Sequence, residues 1–257
     1  MIVLASTIHD PDVGLEWLSN KHLPWLLTLF DTIIIVSSPF TSDKYLFSLK
    51  QSGCVIKKRK DNRIGRTYFE AIHQAGKVNP DYVWYCDFDR ILHWAENFSS
   101  ELEKFVKFLK IQVQNKKKPD YVVCERTQEG YMKHHTALYE TEQIANMVIS
   151  HGMKQKQVHD FLSGCFIFSR KALGLIQKFG PTTGYEFFGD WPILLQKNKM
   201  NIVWKKFRGL EWETPNQNRK AVEAAGGVQA WRQALSTAEE WERRTKIARS
   251  VVKNILA

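Results

Sequence analysis

Two carboxylates, Asp87 and Asp89, stand two residues apart where the apolar run of DYVWYCDFDRILHW (81–94) ends. Such a pair at a strand end suits a hard divalent cation that takes its other ligands from water and substrate phosphate. In extended chain, residues i and i+2 project to one side, so both groups are expected to face one point. Upstream, KKRKDNRIGRTYFEAIHQAG sets Lys57, Lys58, Arg59, Lys60, Arg63 and Arg66 at a strand–loop–helix junction. Cations and a helix N-terminus beside a carboxylate-held metal make a diphosphate site. Arg63 and Arg66, which flank Gly65 at the helix start, are the better candidates within it. Plainer readings exist for both features: D-F-D can cap a strand with solvated acids, and the basic run can be a solvated loop.

These groups need a scaffold. IVLAST (2–7), TIIIVSS (32–38), CVIKKRK (54–60) and DYVWYCDFD (81–89) read as strands, with helical periodicity over 15–30, 43–53, 64–75 and 96–113. That alternation predicts an α/β fold, a Rossmann-like, mostly parallel sheet flanked by helices, with ligands beyond the carboxyl ends of the strands. DYVVCERT (120–127), FLSGCFIFSR (161–170) and NIVWKKF (201–207) extend the sheet, and residues 130–160 between them read as irregular, suited to a flexible lid. From about residue 217 the pattern is helix only. A main domain over 1–215 and a C-terminal helical extension over 216–257 are expected.

Apolar residues make up 44% of the 257 and charged residues 25%, which excludes a disordered chain. The net charge of +10 calls for an anionic partner: nucleic acid, a membrane surface or a phosphorylated small molecule. No RNP, helix-turn-helix or zinc-finger signal is present, so nucleic acid is not expected. No run of 18 apolar residues marks a spanning helix, and MIVLASTIHDPD reads as a mature first strand without a leader. Cys54, Cys86, Cys124 and Cys165 are far apart and form no CxxC, as expected of reduced, buried thiols in a cytoplasmic protein. The C-terminal helices set Arg232, Arg243, Arg244, Lys246, Arg249 and Lys253 beside Trp231, Leu235, Trp241, Ile247, Val251 and Ile255. Such helices either meet an anionic membrane peripherally, on its cytoplasmic face, or pack on the domain and solvate their charges.

The β/α half, the helix of form R-x-G-R…A-I…A-G and the strand ending in D-x-D together resemble the GT-A glycosyltransferases. The resemblance implies a nucleoside-diphosphate sugar donor, a UDP- or GDP-sugar first, and transfer to a hydroxyl acceptor. It implies Mn²⁺ or Mg²⁺ held by Asp89, with Asp87 on the ion or the donor ribose. LSGCFIFSRKAL (162–173) is similar to the acceptor-side strand of that superfamily, which puts Gly164 at the acceptor. GYEFFGDWPILLQKNKMNIVWKK (184–206) resembles the segment that carries an acidic base, making Asp190 the base and Glu186 its reserve. Trp191 either offers a flat face to a sugar or packs in the core. Many members add a late histidine to the metal; here the last is His159, and Glu211 or Glu213 stands near the corresponding place. The second strand ends in SSPFT rather than the acidic turn common in one large family of these enzymes, which leaves Ser6, Thr7 or Ser37 for the base-binding contacts. A metal and arginines would stabilise the leaving diphosphate, while a carboxylate takes the acceptor proton.

His134, His135, His151 and His159 match no metal template and read as loop or surface side chains, with His159 best placed to face the cleft. Among rivals, a HAD-like phosphohydrolase carries its D-x-D on the first strand, not the fourth. A nucleotidyltransferase needs a Gly-rich basic loop that STIHDPDVG lacks. The alternatives kept are a nucleotidyltransferase or a non-catalytic sugar-nucleotide-binding protein of the same fold, with the phosphohydrolase more distant.

Overall fold

A computed structural model describes residues 1–61, 63–115 and 118–255. The first half alternates β1 (Ile2–Ile8), α1 (Glu16–Leu29), β2 (Thr32–Ser37), α2 (Asp43–Gln51), β3 (Val55–Lys58), α3 (Ile64–Gly76), β4 (Tyr82–Cys86) and α4 (Phe88–Gln112). Then come β5 (Tyr121–Arg126), α5 (Gln128–Met132), α6 (Thr136–Gly152), β6 (Cys165–Ser169), α7 (Arg170–Phe179), α8 (Phe187–Lys197) and β7 (Ile202–Phe207). Short helices α9 (Thr214–Gln217), α10 (Arg219–Ala224) and α11 (Val228–Ala234) lead to α12 (Ala238–Val252).

The strands form one sheet in the order β3-β2-β1-β4-β6-β5-β7. β1 pairs in parallel with β2 and β4, and β5 with β7; only β6 runs antiparallel, between β4 and β5. The expected mostly parallel α/β sheet is therefore present. Its central strands are apolar without alternation because both faces are covered. On one face Leu4, Ile35 and Trp84 meet Leu18 and Leu26 of α1 and Ile91, Trp94 and Leu102 of α4. On the other, Val3, Val36 and Tyr85 meet Tyr68 and Ile72 of α3, Ile149 of α6, Trp191 of α8 and Val251 of α12. No helix among the described residues is long and apolar enough to cross a membrane.

The stretch 130–160 departs from its irregular reading. Ala137, Leu138, Thr141, Ala145 and Ile149 recur at helical spacing and are buried on one face of α6. His135 caps that helix, its Nδ1 accepting the Leu138 N–H at 3.4 Å. A helix docked on α8 and α12 takes the place of the expected loop.

Candidate active site

The strand order turns at β1 and β4, the place where α/β sheets bind ligands beyond the carboxyl ends of their strands. Asp87 lies there, but the extended run stops short of the full D-F-D. Asp87 is extended (φ −56°, ψ 143°) as the N-cap of α4, and Asp89 sits in the first helical turn. The two groups therefore approach through the strand-to-helix bend rather than by i, i+2 alternation. Three hydroxyls hold Asp87. Tyr85 Oη donates to its Oδ1 at 2.5 Å, Thr7 Oγ1 to the same oxygen at 3.2 Å, and Tyr68 Oη to Oδ2 at 3.1 Å. Gly164 (φ +68°) faces the other side of the carboxylate, where a Cβ would stand 2.4 Å from Oδ2. No side chain fits between them. Burial, then the charge of Asp89, pushes the Asp87 carboxyl up to about 6, against the pull of Arg90 and the hydroxyls. Burial also raises Asp89, with Arg90 opposing it.

Arg90 follows the pair directly and is buried. Its Nη2 donates to Glu213 Oε1 at 2.8 Å and its Nη1 to the Leu210 carbonyl at 3.1 Å. Burial pushes Glu213 up to about 7; Arg90 opposes this while Asp89 and Asp87 add to it. Arg90 Nε and Glu213 Oε2 have no hydrogen-bond partner among the described residues. Of the two glutamates in GLEWET, Glu213 thus joins the aspartates, whereas Glu211 meets His93 and Lys133. Asp87, Gly164 and Glu213 line a cavity of about 160 Å³, together with His134, Arg243 and Arg244.

Other sequence candidates sit elsewhere. Ser6 is fully buried and its Oγ donates to the Cys86 carbonyl at 2.7 Å, tying β1 to β4. Ser37 is fully buried too. Arg63 and Arg66 are exposed at the start of α3, outside the cavity lining. The basic run is largely paired: Lys57 with Glu70 at 2.5 Å, Lys58 with Asp43 at 2.8 Å, and Arg59 with Asp61. Asp190, in the first turn of α8, accepts from Asn254 Nδ2 at 2.9 Å and does not line the cavity. Burial and then the Glu186 charge raise its carboxyl, with the Asn254 bond opposing. Glu186 turns back on its own loop, accepting the Gly184 N–H at 2.7 Å. Trp191 is 1% exposed among Phe166, Phe168 and Phe187, so it offers no platform to a sugar. His134, His135 and His159 are buried rather than on the surface, and His159 pairs with Glu125 at 3.0 Å and stacks on Trp204.

No three His, Cys, Asp or Glu side chains among the described residues are grouped to hold a metal ion by themselves. The donor set nonetheless fits a hard cation. Two buried carboxylates have raised proton affinity, and Glu213 Oε2, whose carboxyl is itself raised in part by both of them, lacks a partner among the described residues. Water and phosphate oxygens would complete such a shell.

No protein-family model and no curated protein sequence matches the chain. Solved structures do. Glucosyl-3-phosphoglycerate synthase from Mycobacterium tuberculosis, in complex with Mn²⁺, UDP and phosphoglyceric acid, aligns with a TM-score of 0.53 at 14% identity. The alignment covers 80% of this chain and 68% of that one. The same synthase with Mn²⁺, UDP-glucose and phosphoglyceric acid aligns over 91% of this chain and 80% of its own, at 13% identity and a TM-score of 0.50. A further mycobacterial protein gives 0.54 at 13% identity, over 80% and 65%. The chain has the GT-A fold. Within this GT-A sheet the site also uses residues that the sequence did not single out as its members. Tyr85 carried a signal, since it lies two residues before Asp87 on the same strand face. Arg243 and Arg244 stood out only as part of a basic helix, and only the fold brings them to Asp87.

Proposed function

We propose that the chain transfers a sugar from a nucleoside-diphosphate sugar, UDP-linked in the first instance, to a hydroxyl acceptor with the help of Mn²⁺ or Mg²⁺. The observation that carries this is the Asp87/Asp89 pair at the carboxyl end of β4 in a GT-A sheet, both carboxyls raised chiefly by burial. The structural neighbours were crystallised with UDP and Mn²⁺, which supports that nucleotide and that ion. Asp89 and Asp87 would hold the cation, which supplies Lewis-acid stabilisation of the departing diphosphate.

The chain's own residues do the rest. Tyr85, Thr7 and Tyr68 orient the Asp87 carboxylate, and Arg90 balances its charge. Arg63 and Arg66, at the start of the helix that carries Tyr68, are rim contacts for the donor. Residues 216–257, an extension of the 1–215 unit, bring further arginines. Asp190 has the raised proton affinity that suits a base, and Asp190→Asn decides its role. Loss of transfer with donor binding intact assigns it; retained transfer removes it.

The test is thermal stabilisation by UDP-, GDP-, CDP- and ADP-sugars with and without Mn²⁺. A Mn²⁺-dependent rise with a UDP-sugar, abolished by Asp89→Ala, is expected. Equal behaviour with and without metal for every donor sinks the proposal.

A further inference from the structure

The sheet face that packs on α1 and α4 is left partly open over β5 and β7. Past its kink at Phe98 (φ −141°, ψ 39°), α4 carries Phe98, Glu101, Lys104, Phe105, Phe108 and Gln112 at helical spacing. This stripe walls a groove of about 880 Å³, floored by Val122 of β5 with Val203 and Phe207 of β7. β7 is the end strand of the sheet, so the outer side of the groove is open. The volume falls in the range of small-ligand clefts, about 300–1,000 Å³. Phe108 is 44% exposed and Val203 39%, apolar surface of the kind that marks a binding groove when charged groups rim it.

The rim is cationic. Alternation along β7 puts Lys205 on the groove side with Val203 and Phe207, while Lys206 projects to the other side with Ile202 and Trp204, which pack in the opposite core. Lys104, Lys205 and Arg208 have no ion-pair partner among the described residues. Glu101, the acid on the lining, accepts the backbone N–H groups of Arg208 at 3.1 Å and Gly209 at 3.0 Å. The groove therefore keeps an excess of positive charge. That charge is gathered at one end. β4 and β7 run in the same direction and α4 returns against them, so Phe98 and Arg208, stacked at 4.8 Å, mark one end and Gln112 the other. Lys104 stands about 9 Å along the helix from Phe98, and Lys205 about 10 Å along the strand from Arg208. Phe108 and Val203 lie further on, roughly 15 Å or more from the same end.

We infer that the groove binds one single-chain anionic amphiphile, a long alkyl chain with a carboxylate or phosphate head. The head sits among Lys104, Lys205 and Arg208, and the chain runs over Phe105, Phe108, Val122 and Val203. Charge complementarity at one end and apolar burial along the rest match such a molecule. A helix or strand of a partner protein would need all its acids confined to that one half. None of these residues lines the Asp87 cavity, so the inference goes beyond the proposed sugar transfer and does not depend on it.

Calorimetric titration of the full chain with laurate, and separately with dodecyl phosphate, tests it below the micelle concentration of each. At least one of the two should bind as a single equivalent, and which one does so names the head. Dodecyltrimethylammonium, a tail of the same length on a cationic head, should bind at least tenfold more weakly, and acetate not measurably. Lys104→Gln combined with Lys205→Gln should raise the dissociation constant at least tenfold and Val203→Gln at least threefold, whereas Lys205→Arg should stay within twofold. Ile144→Gln, at an exposed apolar position on α6, should change nothing. All these positions are exposed, so the variants should keep the wild-type melting temperature, which the same samples report. No binding of either anion, equal binding of the cationic amphiphile, or an affinity unchanged in both the lysine and the valine variants overturns the site. Binding to vesicles of anionic phospholipid without binding of the monomeric amphiphiles overturns it in favour of a membrane contact. A dimer in sedimentation that Val203→Gln dissociates overturns it in favour of an interface between copies of the chain.

Discussion

Arg90 and Glu213, 123 residues apart in the chain, form a buried ion pair at 2.8 Å that fastens the segment after β7 to the first turn of α4. Each side chain also keeps one polar atom without a partner among the described residues, so the pair sits at the site without being used up by it. Removing one member strands the other as an uncompensated buried charge. Arg90→Met should therefore cost about 3–5 kcal/mol of stability, and Arg90→Met with Glu213→Leu should cost distinctly less. Urea unfolding of the two variants measures this. Equal losses would show that the pair is not coupled.

Gly164 is required twice over. Its φ of +68° is strained for any side chain, and a Cβ would press within 2.4 Å of Asp87 Oδ2. Relief means moving either the turn before β6 or the carboxylate. Gly164→Ala should destabilise by about 1–3 kcal/mol and weaken Mn²⁺-dependent UDP binding beyond detection in a thermal-shift series. Binding retained at wild-type strength would place the carboxylate outside the metal shell.

Tyr85 donates to Asp87 Oδ1 at 2.5 Å, with its oxygen 2.7 Å from the Thr7 hydroxyl, whereas Tyr68 makes one longer bond to Oδ2. Groups that orient a metal ligand typically contribute 10- to 100-fold in affinity. Tyr85→Phe should lower Mn²⁺ affinity in the presence of UDP by that range, and Tyr68→Phe by less. Mn²⁺ titration followed by calorimetry reads both, and a larger effect at Tyr68 would contradict the ordering.

What the sequence revealed follows from which interactions are local. Strands buried on both faces appear as uninterrupted apolar runs, so β1, β2 and β4 were legible, as was the carboxylate pair at the end of β4. Helix α6 was hidden because Thr141, Glu142 and Asn146 occupy its buried face, where they bond within the helix or with Arg126, Asp160 and Phe161. Polar residues there blur the 3.6-residue pattern. The site itself is assembled over long separations, from Thr7, Tyr68, Gly164, Glu213 and Arg244. Nothing in the spacing of those residues announces that they meet. Local charge also misled: Lys57, Lys58 and Arg59 find acids nearby, so a run that looked available for phosphate is mostly neutralised.

Acid should loosen the contact of α12 with the cap of α6, and two groups set the window. His135 Nδ1 accepts the Leu138 N–H, so Nε2 carries the proton and faces Glu240 Oε1 at 3.3 Å. Burial, then Arg244, lowers this histidine to about 4, with Glu240 opposing. Its folded value lies below the unfolded 6.5, so the unfolded chain binds the proton first. The stability it contributes is complete above pH 6.5 and is lost as pH falls toward 4, roughly 3 kcal/mol in all. Burial tends to raise Glu240, but the bonds from Arg243 and Arg244 outweigh it and bring the carboxyl down to about 2. Its contribution is present above pH 4.5 and lost on the way to pH 2. Denaturation at pH 7, 5.5 and 4 should show a steep decline in the wild type and a shallower one in His135→Gln, with the loss of the cap lowering the variant equally at every pH. Parallel curves would mean that His135 is not the titrating group.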